Sequence, residues 1–162
     1  MREGAVARGP QVVIGYGSSL RRDDGVGQEV ARRVEALGLA DVRVLAMHQL
    51  TPETSVVLAS ARLVVFVDAR ADDLDQGVLV ESIAPEPART GVGHFADPRA
   101  LLALARDLFG AAPEAWLVTV PAFDTGLGEG LSVWAAHGAE EAARRVLALL
   151  KAHGGAPKRV LQ

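Results

Sequence analysis

Three side chains far apart in the sequence, Asp24, Asp68 and His94, have the types needed to bind one divalent metal ion. Two carboxylates and an imidazole, with coordination positions left for water or substrate, suit a borderline divalent metal. The chain has no cysteine, which excludes disulfides, thiolate ligands and thiol nucleophiles, so a bound metal would have to be held by His, Asp or Glu. The residue types therefore favour a metal site, provided that the fold brings the three side chains together.

Each of these residues also has an ordinary structural explanation. Asp23 and Asp24 precede a helical pattern, and either carboxylate could serve only as its N-cap. Asp68 could cap a turn at the end of a strand. A single histidine in a loop, such as His94, is often only a solvated side chain, and the same holds for His48, a second-rank candidate. The remaining acidic and histidine side chains of interest are interpreted as surface groups: Asp72, Asp73, Asp75, His137 and His153.

A strand, a glycine turn, a loop and a helix are predicted within residues 12–27, VVIGYGSSLRRDDGVG. The apolar β-branched run at the start favours a buried strand, and Gly15 and Gly17 allow a sharp turn after it. In open α/β sheets, ligands bind beyond the carboxyl ends of the strands, which is where this loop lies. The dinucleotide fingerprint is not matched, because Leu20 stands where the third glycine should be, and there is no Walker lysine. A phosphate-binding protein is therefore the weakest hypothesis.

The alternation of strand and helix patterns predicts a three-layer α/β/α sandwich around a twisted, mostly parallel sheet of about five strands. The predicted strands cover about 11–16, 42–46, 63–67, 77–83 and 116–120. The predicted helices cover about 25–37, 52–60, 98–109 and 134–153, with Thr51 and Asp97 as N-caps of the second and third. A short connection after the third strand predicts that the fourth is an antiparallel edge strand. This arrangement can bring Asp24, Asp68 and His94 to the carboxyl edge of the sheet.

Length and composition predict a single α/β domain over residues 1–162, with flexible ends at 1–10 and 155–162. The net charge of −3 gives no electrostatic reason to expect a nucleic-acid partner. No run approaches the ~18 apolar residues of a membrane span, and the N-terminus lacks the apolar core of a signal peptide. We therefore expect a cytoplasmic protein without a membrane span.

Several parts of the chain, in the same order, resemble the hydrogenase maturation endopeptidases. These proteins cut a C-terminal extension from the large subunit of nickel-iron hydrogenases after nickel insertion. Residues 15–27, GYGSSLRRDDGVG, resemble the opening motif of the family, and 64–69 its second acidic motif. His94 falls where the family has its histidine, and residues 121–132 resemble its late loop and helix start. Residues 48–53, HQLTPE, resemble a segment of one branch of the family.

By position, Asp24, Asp68 and His94 resemble the three metal-contacting residues of the family, which implies that they form the metal site and the catalytic site of a hydrolase. The resemblance also implies that the metal is nickel carried by the precursor subunit, although another divalent metal is open. Water attack could rely on the metal or on a carboxylate as general base. Ser18 departs from the family, which usually has Asn there. The alternative function is a nickel-binding chaperone or checkpoint module without hydrolysis; we expect a monomer in either case.

Overall fold

The computed structural model of the protein describes residues 9–88 and 97–154. Five β-strands occur in this part of the chain: β1 Gln11–Tyr16, β2 Val42–Met47, β3 Leu63–Arg70, β4 Leu79–Ile83 and β5 Glu114–Pro121. The α-helices are α1 Val26–Glu35, α2 Thr54–Ser60, α3 Pro98–Phe109 and α4 Val133–His153. Short 3₁₀ turns span Arg22–Gly25 and Leu74–Gln76. The predicted flexible ends lie outside the described residues except for positions 9 and 10, and His94 also lies outside them.

The five strands form one sheet in the order β2-β1-β3-β5-β4. Neighbouring strands are parallel except at the edge, where β4 runs antiparallel to β5. The predicted mostly parallel five-stranded sheet with one antiparallel edge strand is confirmed. Because the parallel strands β1, β3 and β5 are covered on both faces, they have nearly continuous apolar sequences rather than alternating ones.

Two apolar layers pack on opposite faces of the sheet. Side chains of β1 alternate between them, with Val12 and Ile14 on one face and Val13 on the other. The first layer joins the sheet to α2 and α3, through residues such as Leu58 and Leu101. The second layer joins it to α1 and α4, which also contact each other. The three-layer architecture expected from the sequence is thus present.

The predicted start of the second helix is wrong. The α-helix begins at Thr54, and the Thr51 side chain makes no capping hydrogen bond. Residues 51–55 instead form tight turns, with the Thr54 N–H donating to the Thr51 carbonyl and the Ser55 N–H to the Pro52 carbonyl, both at 3.0 Å. At a helix start capped by Thr51, the Ser55 N–H would instead have bonded to the Thr51 carbonyl, which here accepts from Thr54.

The third helix begins as predicted. The Asp97 carboxylate accepts a hydrogen bond from the Arg99 N–H at 2.9 Å, and Pro98 occupies the first turn.

Within the described residues, no helix has both the length and the apolar character needed to cross a membrane.

Candidate functional site

The glycine turn after β1 is held by its neighbours on three sides. Gly17 has a φ of 137°, and a Cβ there would collide with the carbonyl oxygen of Asp24. Its N–H donates to the Met47 carbonyl of β2 at 3.1 Å, and its carbonyl accepts from the Gln28 side chain of α1 at 2.6 Å. These contacts fix the backbone conformation of the turn, and the backbone of Asp24 packs directly against Gly17.

The glycines on either side of this turn allow α1 to approach the sheet closely. A Cβ on Gly15 would collide with the Gly27 carbonyl. A Cβ on Gly27 would meet the backbone oxygens of Tyr16 and Val67. These glycines have a packing role between strand and helix, so their presence requires no bound phosphate.

Asp24 lies in the 3₁₀ turn before α1 and is partly buried. Its Oδ2 accepts a hydrogen bond from the Ser18 N–H at 2.7 Å. No side-chain hydrogen bond caps α1, so the N-cap explanation fails for both Asp23 and Asp24. The contact from Ser18 uses its backbone, while its hydroxyl accepts from the Leu20 N–H at 3.3 Å and braces the same loop.

Asp68 is not a turn cap, because β3 continues through Arg70. Its partly buried side chain lies next to Tyr16 at the end of β1. Burial raises the pKa of Asp68 to about 6, hydrogen bonds from the Tyr16 hydroxyl and the Ala69 N–H oppose that rise, and the negative charge of Asp24 adds to it. Asp68 therefore titrates near neutral pH, which is the range that suits a general base.

The Tyr16 phenol is a site residue that sequence reasoning missed. Burial, followed by the negative charge of Asp68, raises the pKa of Tyr16 above its ordinary value, so the hydroxyl keeps its proton and donates a hydrogen bond to Asp68. Two charged residues at the start of α3 also act on the pKa of this phenol: the negative charge of Asp97 raises it, and the positive charge of Arg99 lowers it. The available signal was a polar aromatic residue at the last position of an otherwise apolar strand.

Asp23, next to Asp24 in the sequence, has a different role. Its side chain is fully buried and accepts four hydrogen bonds, from the N–H groups of Phe123, Asp124 and Ser132 and from the Ser132 hydroxyl, at 2.7–2.9 Å. Burial alone would raise the pKa of Asp23, but these hydrogen bonds lower it below its ordinary value. Asp23 thus ties the loop after β1 to the loop after β5.

Asp24 and Asp68 are close enough for the charge of one to raise the pKa of the other. A cation between them would relieve that repulsion, so the pair fits a metal in its charge and donor type. Across residues 9–88 and 97–154 no group of three His, Asp or Glu side chains could hold a metal ion. The third predicted ligand, His94, lies outside those ranges, and the three-residue site stays a prediction.

The other candidates lie apart from this pair or serve the fold. His48 is exposed and directly follows Met47, whose carbonyl accepts the hydrogen bond from the Gly17 N–H. It therefore lies at the same edge of the sheet as Asp24 and Asp68. His153 contacts Glu114 at 3.2 Å and packs on Trp116, at the beginning of β5 and therefore at the opposite edge. The acidic residues Asp72, Asp73 and Asp75 are exposed, as expected.

No protein-family model and no curated protein sequence matches the chain. Solved structures do match it. The [NiFe] hydrogenase maturation protease HycI from Thermococcus kodakarensis is 27% identical, with a TM-score of 0.67 over 88% of this chain and 92% of its own. The resemblance to the hydrogenase maturation proteases is confirmed.

Two maturation proteases of lower sequence identity show the same fold. The hydrogenase maturating endopeptidase HybD from E. coli is 22% identical, with a TM-score of 0.74 over 90% of this chain and 94% of its own. A hydrogenase 2 maturation peptidase from a Thaumarchaeota archaeon is 20% identical, with a TM-score of 0.66 over 88% of this chain and 98% of its own. The likeness therefore extends over nearly the whole of each maturation protease.

Proposed function

We propose that this protein is an endopeptidase that removes the C-terminal extension of a nickel-iron hydrogenase large-subunit precursor after nickel has been inserted. The observation that carries the proposal is the Asp24–Asp68 pair, which lies beside the glycine turn at the carboxyl ends of β1 and β3. Likeness to HycI and HybD supports the choice of substrate class. Ligands of open α/β sheets bind at this edge, which gives the pair an accessible position.

In this proposal Asp24, Asp68 and His94 contact nickel that arrives with the precursor. The ion is thus part of the substrate and marks it as complete; another divalent metal would satisfy the same oxygen and imidazole donors. A bound metal of this kind polarises a carbonyl group and lowers the pKa of coordinated water. The recognition step orients the scissile peptide against the two carboxylates.

Asp68 is the best candidate for the residue that accepts a proton from the attacking water. Before the substrate metal binds, its pKa of about 6 leaves it mostly ionised at neutral pH, yet basic enough to take up a proton. The Tyr16 hydroxyl limits the orientation of the carboxylate and stays protonated. Asp24, held by the Ser18 N–H, supplies the second negative charge opposite a cation.

A processing assay tests this function directly. The purified protein is incubated with a precursor subunit, once with nickel and once without, and the precursor mass is measured before and after. We expect loss of the C-terminal extension from the nickel-loaded precursor alone. Equal cleavage of both would remove the recognition role of nickel. An unchanged mass together with nickel-dependent binding would favour the non-hydrolytic chaperone or checkpoint module.

A further inference from the structure

Large apolar side chains are exposed on the two loops beside the candidate site. We call them the loop-edge surface, and they are 49–77% exposed: Leu20, Phe123, Leu127, Val133 and Trp134. Single exposed apolar residues are common on protein surfaces, whereas a contiguous group is characteristic of an interaction site. The question is therefore whether these residues are neighbours.

Hydrogen bonds and ring packing connect the members of this surface. The Gly128 N–H donates to the Leu20 carbonyl at 2.9 Å, which places the adjacent Leu127 beside the loop after β1. The rings of Phe123 and Trp134 lie 6.3 Å apart between centroids. The Arg22 N–H also donates to the Gly128 carbonyl, at 3.0 Å, so that Arg21 and Gly128 form a parallel β-bridge between the two loops. The five side chains thus belong to one continuous loop pair and the helix start next to it.

This surface is held in place by the buried carboxylate of Asp23. Three of its four donors are the N–H groups of Phe123, Asp124 and Ser132, so the backbone under the surface is fixed at both ends of the late loop. A preordered apolar surface loses less conformational entropy on binding than a flexible one. Exposed aromatic groups on a fixed backbone are typical binding anchors.

The loop-edge surface is continuous with the candidate site. Leu20 belongs to the loop in which the Ser18 N–H holds Asp24, and Asp24 directly follows Asp23. A partner seated on the surface would therefore extend up to the Asp24–Asp68 pair. A permanent second copy of this chain at the same place would obstruct access to the pair, which argues for a transient occupant.

We propose that the loop-edge surface docks the folded body of the precursor protein whose C-terminal extension is cut. This inference rests on the proposed function and adds the place at which the substrate protein binds. The occupant presents an apolar patch to Trp134, Phe123 and Leu127, while its C-terminal segment reaches the two carboxylates. Binding through aromatic anchors surrounded by charged side chains, here Arg22 and Asp124, is the usual composition of such an interface.

The test compares two double variants of the full chain. Leu127→Ala with Trp134→Ala removes the anchors of the loop-edge surface. Leu108→Ala with Phe109→Ala removes another exposed leucine and aromatic residue at the far end of α3, at the opposite edge of the sheet. Both are assayed for cleavage of a nickel-loaded large-subunit precursor, and for binding of the uncut precursor in an Asp68→Asn background.

We expect the loop-edge variant to lower kcat/KM and precursor affinity at least tenfold, with kcat at saturation nearly unchanged, because hot-spot aromatic residues carry that much of a binding interface. The α3 variant should match the wild type in the cleavage assay and the Asp68→Asn protein in the binding assay. Thermal unfolding checks that both variants keep the fold, as expected for exposed positions.

The outcomes separate this inference from the proposed function. If the wild type cleaves the precursor and the loop-edge variant binds and cleaves it equally well, the docking surface is refuted and the function stands. If the wild type binds without cleaving and the variant loses binding, docking is supported and the peptidase activity is refuted. If the wild type neither binds nor cleaves, both fail. If the wild type is a dimer that the variant dissolves, the occupant is a second copy and the inference is overturned.

Discussion

Asp23 and Asp68 are two carboxylates in buried surroundings whose pKa values move in opposite directions. Asp23 braces the loops after β1 and β5, and four donors surround it. Asp68 lies beside Tyr16, and hydrogen bonds from the Tyr16 hydroxyl and the Ala69 N–H only partly offset the effects of burial and of the Asp24 charge on its pKa. Hydrogen-bond donors therefore compensate the buried negative charge of Asp23. The negative charge of Asp68 is only partly compensated, and a bound cation would balance it.

The two regions therefore respond to pH in opposite ways. The folded-state pKa of Asp23 lies below its unfolded value, so its stabilising contribution is present above that value and is lost as the pH falls through the folded pKa. The folded-state pKa of Asp68, about 6, lies above its ordinary value of 3.8. Its contribution is thus most favourable below pH 3.8 and is lost as the pH rises through about 6. Ionised Asp68 costs stability at neutral pH, as is common for residues kept for function.

Replacing Asp68 with Asn gives the largest expected effect. Asn cannot accept a proton from water, so we expect precursor processing to fall by about 10²–10⁴-fold, the usual contribution of a general base. Because the buried charge disappears, the free energy of unfolding at pH 7 should stay equal or rise by about 1–2 kcal/mol. Processing rates by gel or mass analysis and urea unfolding at pH 7 measure the two effects. Near-normal activity would remove Asp68 from the site, and a large loss of stability would make it a structural carboxylate like Asp23.

Replacing Asp23 with Ala should show the reverse pattern. Three N–H groups and the Ser132 hydroxyl lose their acceptor, and we expect the free energy of unfolding to fall by about 3 kcal/mol. Asp75→Ala, which removes an exposed carboxylate in another loop, is the matched control and should change the free energy by less than about 0.5 kcal/mol. Urea denaturation at pH 7 provides both values. If the two variants were equally stable, the bracing role assigned to Asp23 would be incorrect.

Much of the fold could be predicted from the sequence because its main elements carry strong local signals. The apolar runs of β1 and β3, the Asp97–Pro98 helix start and the short connection before β4 each specify their own structure. The start of α2 could not be predicted, because Thr51 has the right residue type for a cap and only the backbone path reveals the tighter turns.

The candidate site was less predictable, since its contacts join residues distant in the sequence. The predicted strands placed Asp24 and Asp68 at the carboxyl edge of the sheet, but nothing in the local sequence distinguishes Asp23 from Asp24. Their difference depends on the loop after β5, about 100 residues later, which supplies the donors to Asp23. Tyr16 was missed for a similar reason, because its partner Asp68 belongs to another strand.

Replacing Tyr16 with Phe should produce the smallest effect and the sharpest test of how Asp68 is tuned. The Tyr16 hydroxyl lowers the pKa of Asp68, so its removal raises that pKa further. In the proposed mechanism the ionised carboxylate of the free enzyme is the active form. The acidic limb of the pH profile of kcat/KM should therefore move to higher pH, with little loss of activity on the alkaline side of that limb. Ser55→Ala removes another partly buried hydroxyl hydrogen bond, from Ser55 in the first turn of α2 to the Pro52 carbonyl, and should leave the limb in place. A limb that moves equally in both variants would reflect general loosening of the fold, whereas an unmoved limb in Tyr16→Phe would mean that Asp68 does not set the pH dependence.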